Sequence, residues 1–247
     1  MLRSGEPHSA SFRDPAGFVF LDDGVYKRAI TVDGESDYRL LMESWLHKSL
    51  VSQGFILSHE EEIIDDAAEN IRHVLVPEQL PFISYPYEWC FEQLKDAALL
   101  TLRIQREALD SGLSLKDASF FNVQFPCGKP VFIDTSSFEE DGDRPWVAYR
   151  QYCEHFLSPL LLMAHVAPDF NRYLATSLDD FSLSLTRRLL PWRVKWNPGV
   201  FMHVSLHARS QEKHAQGEPS RQHAPVKMSR QRKTALVESL LSTVEGV

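Results

Sequence analysis

Residues 114–138 read SLKDASFFNVQFPCGKPVFIDTSSF, and no other stretch constrains the chain as tightly. VQF and PVFID are rich in β-branched and aromatic residues, and a turn sequence containing Pro126 and Gly128 separates them. That pattern predicts a loop followed by two strands joined by a turn. Three polar side chains stand at strand ends: Asp117 in the loop, Asn122 just before VQF, and Asp134 at the end of PVFID. A polar side chain at a strand end escapes the packing that alternation imposes inside a strand. Immediately upstream, residues 88–110 place Phe91, Leu94, Ala98, Leu102 and Leu109 on one stripe, and Gly112 stops the pattern. This predicts a long, half-buried helix feeding the loop. Two carboxylates and an amide in this order suit phosphoryl transfer. One carboxylate can accept the acceptor's proton, the amide oxygen can ligate Mg²⁺, and the second carboxylate can bridge metal to phosphates. The same residue types also cap turns.

The rest of the chain supplies a context for that stretch. Residues 1–16 are polar and expected to be flexible. GFVFLDDGVYKRAIT predicts a hairpin turning at Asp22-Asp23-Gly24. In its second strand Val25, Lys27 and Ala29 point one way, and Tyr26, Arg28 and Ile30 the other. Helical spacing predicts a helix over 37–53, ended by Gly54. A charge run to Ala68 reads as a solvated, helix-prone face, and residues 71–76 read as a strand. Prolines 77, 81 and 86 make residues 82–85 an edge or a connector. Residues 146–166 and LDDFSLSLTRRLLP predict further helices, the first kinked or broken by Pro159. Residues 204–232 are polar and basic and read as a linker, after which 233–247 resume as an amphipathic helix.

Composition excludes several classes. The net charge of −8 argues against a general nucleic-acid binder, although seven Lys and Arg fall between residues 209 and 233. Three scattered cysteines without a CxxC pair argue against a disulfide framework and a structural zinc site, and fit a reducing, cytoplasmic setting. The longest apolar run is too short for a bilayer span, so no membrane partner is expected. His203 and His207 share helical spacing but have no third ligand spaced to join them.

Over residues 85–138 the chain resembles the protein-kinase-like superfamily, above all its small-molecule and aminoglycoside kinase branch. The resemblance implies an α+β, two-lobed protein-kinase-like fold: a small β-containing N-lobe at 17–84 and a mainly helical C-lobe at 85–203. It implies Asp117 as catalytic base and Asn122 and Asp134 as metal ligands. It also implies Lys27 as the strand cation reaching phosphates and Glu43 as its partner. YPYEW, with Tyr85 and Tyr87, would be the hinge that holds an adenine. Mg²⁺ and ATP would be the cofactors, and the acceptor, small molecule or protein, is unspecified. The chain departs from the pattern at Leu115-Lys116 before Asp117, at Thr135-Ser136 after Asp134, and in having no G-x-G-x-x-G loop near its N-terminus.

A second resemblance spans nearly the whole chain. SFRDPAGFVF, PFISYPYEWCFEQLKDAALLTL, SLKDAS, VFIDTSSFE and PWVAYRQYCEHFLSPL look like the N-terminal region of bacterial SAM-dependent methyltransferases of the nodulation-protein-related type. The residues hold no strand, Gly-rich turn and helix of the kind that binds SAM, so a SAM site is expected only in a domain outside this chain. Residues 233–247 would then lead toward a C-terminal methyltransferase domain. Two functions follow: a phosphotransferase unit within a methyltransferase-type protein, or a non-catalytic kinase-like accessory module of one.

Overall fold

The computed structural model describes residues 14–63, 70–175, 181–205 and 227–247. Most of the N-terminal segment expected to be flexible, part of the charge run, most of the basic linker, and His207 lie outside the described residues.

Six elements form the first part: β1 (Gly17–Asp22), β2 (Val25–Thr31), α1 (Val32–Glu43), α2 (Trp45–Ser52), β3 (His59–Glu62) and β4 (Ile71–Pro77). The strands make one antiparallel sheet in the order β1-β2-β4-β3. Asp23 (φ 47°) and Gly24 (φ 80°) turn the first hairpin. Two positive φ values in a two-residue loop match the right-handed twist of the flanking strands. The helix expected at 37–53 is two helices. Ser44 is extended (ψ 156°) and its hydroxyl donates to the Leu41 carbonyl at 2.7 Å, so the chain bends there. Alternation along β2 and β4 divides the sheet. Ile30 and Leu75 pack with Tyr38 of α1 on one face, and Phe20, Ala29, Ile71 and Val74 pack on the other.

α3 (Phe91–Asp110) is the axis of the helical body. Leu94, Ala98, Leu102 and Leu109, expected on its apolar stripe, are fully buried. So is Gln105, whose amide accepts the Leu115 N–H at 2.7 Å and donates to Ser114 Oγ at 3.1 Å. The helix thereby fastens β5 (Leu113–Leu115), the strand that leads into the Asp117 loop. β6 (Val123–Gln124) and β7 (Val131–Phe132) form a short hairpin, and β8 (Phe138–Glu140) returns beside β5. Phe132 ties this hairpin to the segment after α2, donating to Phe55 O (2.8 Å) and accepting from the Leu57 N–H (3.0 Å).

The helix expected at 146–166 is α4 (Tyr149–Tyr152), a π turn (Cys153–Leu157) and α5 (Ser158–His165). The N–H of Ser158 reaches back five residues to Cys153 O. Pro159 has no N–H and its ring crowds the carbonyl four residues earlier, and a widened turn just ahead of it accommodates both. α6 (Leu183–Leu189) stops before Pro191. A single turn, α7 (Pro198–Val200), and a π turn (Phe201–Ser205) follow. α8 (Arg230–Glu245) packs along α3 and buries Val237, Leu240 and Val244, so its apolar face completes the core of the body. Lys233 is buried with them (2% exposed), its ammonium donating to Asp141 and to Gly142 O. No helix among the described residues is long and apolar enough to cross a membrane.

Candidate functional site

Asp117, Asn122 and Asp134 converge where the sheet meets the helical body. Asp117 accepts the Ser119 N–H at 2.9 Å, the short turn that Asp side chains favour. The Ala118 N–H beside it donates to the Gln151 side chain of α4 at 2.8 Å. Asn122 closes the base of the hairpin, its carbonyl accepting from the Ile133 N–H at 2.8 Å. Its side-chain amide donates to Ser137 Oγ (3.1 Å), and Ser137 Oγ donates to Asp134 Oδ2 (2.6 Å). Asn122 also stands near enough to Asp117 to lower its proton affinity, so polar groups run from one carboxylate to the other.

Asp134 is held from four directions. Oδ1 accepts from the Ser136 N–H (3.0 Å) and Ser136 Oγ (2.7 Å), and pairs with the Arg28 guanidinium at 2.7 Å. Oδ2 takes the Ser137 hydroxyl. Arg28 also donates to Ser136 Oγ at 2.8 Å. Burial pushes the Asp134 carboxyl up, but the Arg28 charge and the Ser137 and Ser136 hydrogen bonds outweigh it and hold it below the usual carboxylate range. Asp117 goes the other way. Burial raises it, the Ser119 N–H pulls it down, and the charge of Asp134 raises it further, leaving it above the usual range. Two neighbouring carboxylates whose proton affinities are driven apart can divide the roles of fixed anion and proton acceptor.

Not all the residues expected at the site are there. Lys27 lies on the opposite face of β2, its ammonium 2.8 Å from Asp22 and 2.6 Å from Glu62. Arg28, one residue on, is the cation that meets Asp134. Strand alternation explains the exchange: Ile30 packs toward α1, and Arg28 shares its side of the strand. Glu43 is exposed at the end of α1. The acid of α1 that faces the loop is Asp37, paired with Lys116 at 2.6 Å.

Tyr85 and Tyr87 stack on each other, ring centroids 5.5 Å apart. The backbone around them is already engaged. The Tyr85 N–H donates to Glu88, Tyr85 O accepts from the Glu88 N–H, and the Tyr87 carbonyl accepts from Asn171. Beside Arg28 is instead a narrow pocket of about 20 Å³, walled by Leu57, His59, Leu75, Pro77, Ile133 and Thr135. Ser136, Ser137 and Gln151 were missed at the level of sequence. Their signal was faint, since a serine pair after a strand reads as an ordinary turn.

Among the described residues no group of three or more His, Cys, Asp and Glu side chains is placed to hold a metal ion. The set that could serve Mg²⁺ is smaller and oxygen-based: Asp134 Oδ2 and the side-chain oxygen of Asn122, with waters completing the shell. His59 lines the pocket beside Arg28, and two other histidines lie apart from it. His155 is buried behind the loop, hydrogen-bonded to Ser119 Oγ at 3.1 Å. His203 bridges Tyr149 (2.7 Å) and Ser239 of α8 (3.0 Å).

No known family profile matches the chain. It is 34% identical over 208 residues to Nodulation protein NoeA of Rhizobium meliloti (strain 1021), a match covering 82% of this chain and 43% of that protein. The chain is therefore homologous to NoeA, and spans less than half the length of the relative it matches.

Proposed function

We propose, from the homology to NoeA and the polar cluster at the sheet, that this chain is a kinase-like phosphotransfer unit of a methyltransferase-type protein. Asp117 accepts the proton of an acceptor hydroxyl. Asp134 and Asn122 supply hard oxygens to Mg²⁺. Arg28 supplies the positive charge that neutralises phosphate. When bound, Mg²⁺ would offset the charge that spreads over the transferred phosphoryl oxygens. The observation that carries this reading is the coupling of two carboxylates with opposite shifts through Asn122 and Ser137, with a strand cation on the more acidic one. The two-lobed kinase-like architecture belongs to the same proposal. It is supported by the element order: a sheet carrying the cation, a long helix, then the loop and hairpin.

The test is a thermal-shift titration with Mg·ATP, paired with turnover of labelled ATP. A stabilisation that Asp134→Ala abolishes, with turnover lost in Asp117→Asn while nucleotide binding survives, supports the assignment. An unshifted wild type at millimolar Mg·ATP defeats it.

A second reading, a non-catalytic accessory module, has its own support. Every lone-pair direction of Asp134 Oδ1 is committed to internal donors. The pocket beside Arg28 has room for about one water rather than an adenine. On this reading Arg28, Ser136 and Ser137 lock Asp134 as a structural anion. Mg·ATP then leaves the melting temperature unchanged, and Asp117→Asn leaves the activity of the complete methyltransferase-type protein intact.

A further inference from the structure

The segment from Phe181 to Gln211 contains no Asp or Glu, in a chain whose net charge is −8. Within it, Arg187, Arg188, Arg193 and Lys195 fall inside nine residues. Here the chain makes a tight turn after α6. The N–H groups of Val194 and Lys195 both bond Pro191 O, and that of Trp196 bonds Arg193 O. Trp196 ends this single helical turn and Trp192 stands just ahead of it, so the turn carries a tryptophan at each end. Both are far out in solvent, 67% and 73% exposed. The Arg193 guanidinium sits over the Trp192 ring, 5.4 Å from its centroid. The Lys195 ammonium reaches back toward Arg188 O, which keeps the turn beside the end of α6. Leu189 and Met202 are also exposed, and the elements that carry them pack together.

Large aromatic rings with a polar edge, flanked by cations and isolated apolar tips, match the chemistry of a lipid–water interface. A nucleic acid would use the rings and the cations but has no use for exposed Leu189 and Met202. An acidic protein would more often meet such rings with a pocket than leave two of them bare in solvent. We propose that this face, built on Trp192, Trp196, Arg188 and Arg193, is a peripheral docking surface for anionic lipid headgroups. It needs no membrane span. The indoles seat at headgroup depth and the guanidiniums pair with lipid phosphates and carboxylates. The surface acts independently of the Asp134 cluster.

Co-sedimentation of the purified chain with phosphatidylcholine vesicles, with and without phosphatidylserine, tests this directly. Binding is expected to the phosphatidylserine vesicles and to weaken as salt rises. The double variant Trp192→Ala/Trp196→Ala should lose at least tenfold. Arg188→Gln and Arg193→Gln should each lose roughly fivefold, the contribution of one cation near an anionic surface. All four positions are at the surface, so melting temperatures close to wild type confirm that the variants are folded. Equal partitioning of wild type and the tryptophan variant overturns the proposal. So does tighter binding to a single-stranded oligonucleotide than to vesicles, lost in the same variants.

Discussion

Asp134 and Asp141 lie seven residues apart and are built alike in one respect. Each is nearly buried, with side-chain exposures of 13% and 3%, and each meets a cation from a distant part of the chain. Lys233 of α8 closes on Asp141, donates a further bond to Gly142 O at 2.6 Å, and is joined by Arg230 at 3.3 Å. Every partner there fastens α8 to the loop after β8. Around Asp134 the partners continue outward, through Ser137 and Asn122 to a second carboxylate with a raised proton affinity. A buried ion pair is by itself weak evidence for stability and none for chemistry. What separates the two regions is the second acid and the hydroxyls that connect to it.

The comparison can be broken most forcefully at the Asp141 end. Lys233→Met leaves Asp141 buried beside one partly exposed arginine and should cost about 3–5 kcal/mol in urea unfolding. Adding Asp141→Leu should recover most of that loss, and a neutral single variant would show that the lock is dispensable. At the other region Arg28→Met should cost less, about 2–3 kcal/mol at neutral pH, because both partners keep some contact with solvent. The Asp134 pair should also respond to pH. The folded Asp134 carboxyl titrates below its unfolded value, so its stabilisation is present above about pH 4 and is lost as pH falls through the folded value. The gap between wild type and Arg28→Met should therefore narrow in acid.

Smaller effects sharpen the contrast. Ser137→Ala cuts the link between Asn122 and Asp134 and should cost about 1 kcal/mol by the same measurement. Asp117→Asn should do the opposite of an ordinary core substitution. The folded Asp117 titrates above its unfolded value, so a cost grows as pH rises from the unfolded value and persists above the folded one. Removing the charge should raise the melting temperature slightly at pH 7 and leave it unchanged near pH 3. A clear loss at pH 7 would place Asp117 with Asp141 among structural acids.

Local chemistry made much of this legible. The Asp23-Gly24 turn was readable because few residues other than Asp, Asn and Gly tolerate two successive positive φ values. The stripe on α3 was readable because its period matches a helix packed on one side. Asp117, Asn122 and Asp134 could be singled out because polar residues at strand ends are not required for packing. The bend at Ser44 was not legible, since helical spacing continues across it and only one hydroxyl on a carbonyl marks it. The π turn before Pro159 was half legible: proline announces a disturbance but not how the chain absorbs it. Lys233 was hidden in an apolar stripe, because a buried lysine depends on a partner 92 positions away.

The sequence by itself determined which side chains of β2 share a face, because alternation leaves only two sets: Lys27 with Ala29, and Arg28 with Ile30. It did not determine which set looks inward. The tertiary structure decided that when α1 folded across the sheet and Tyr38 packed on Ile30 and Leu75, turning Arg28 toward Asp134 and Lys27 toward Asp22 and Glu62. Both faces carry enough apolar area to be buried, so β2 is indifferent on its own, and the choice belongs to the helix that follows it.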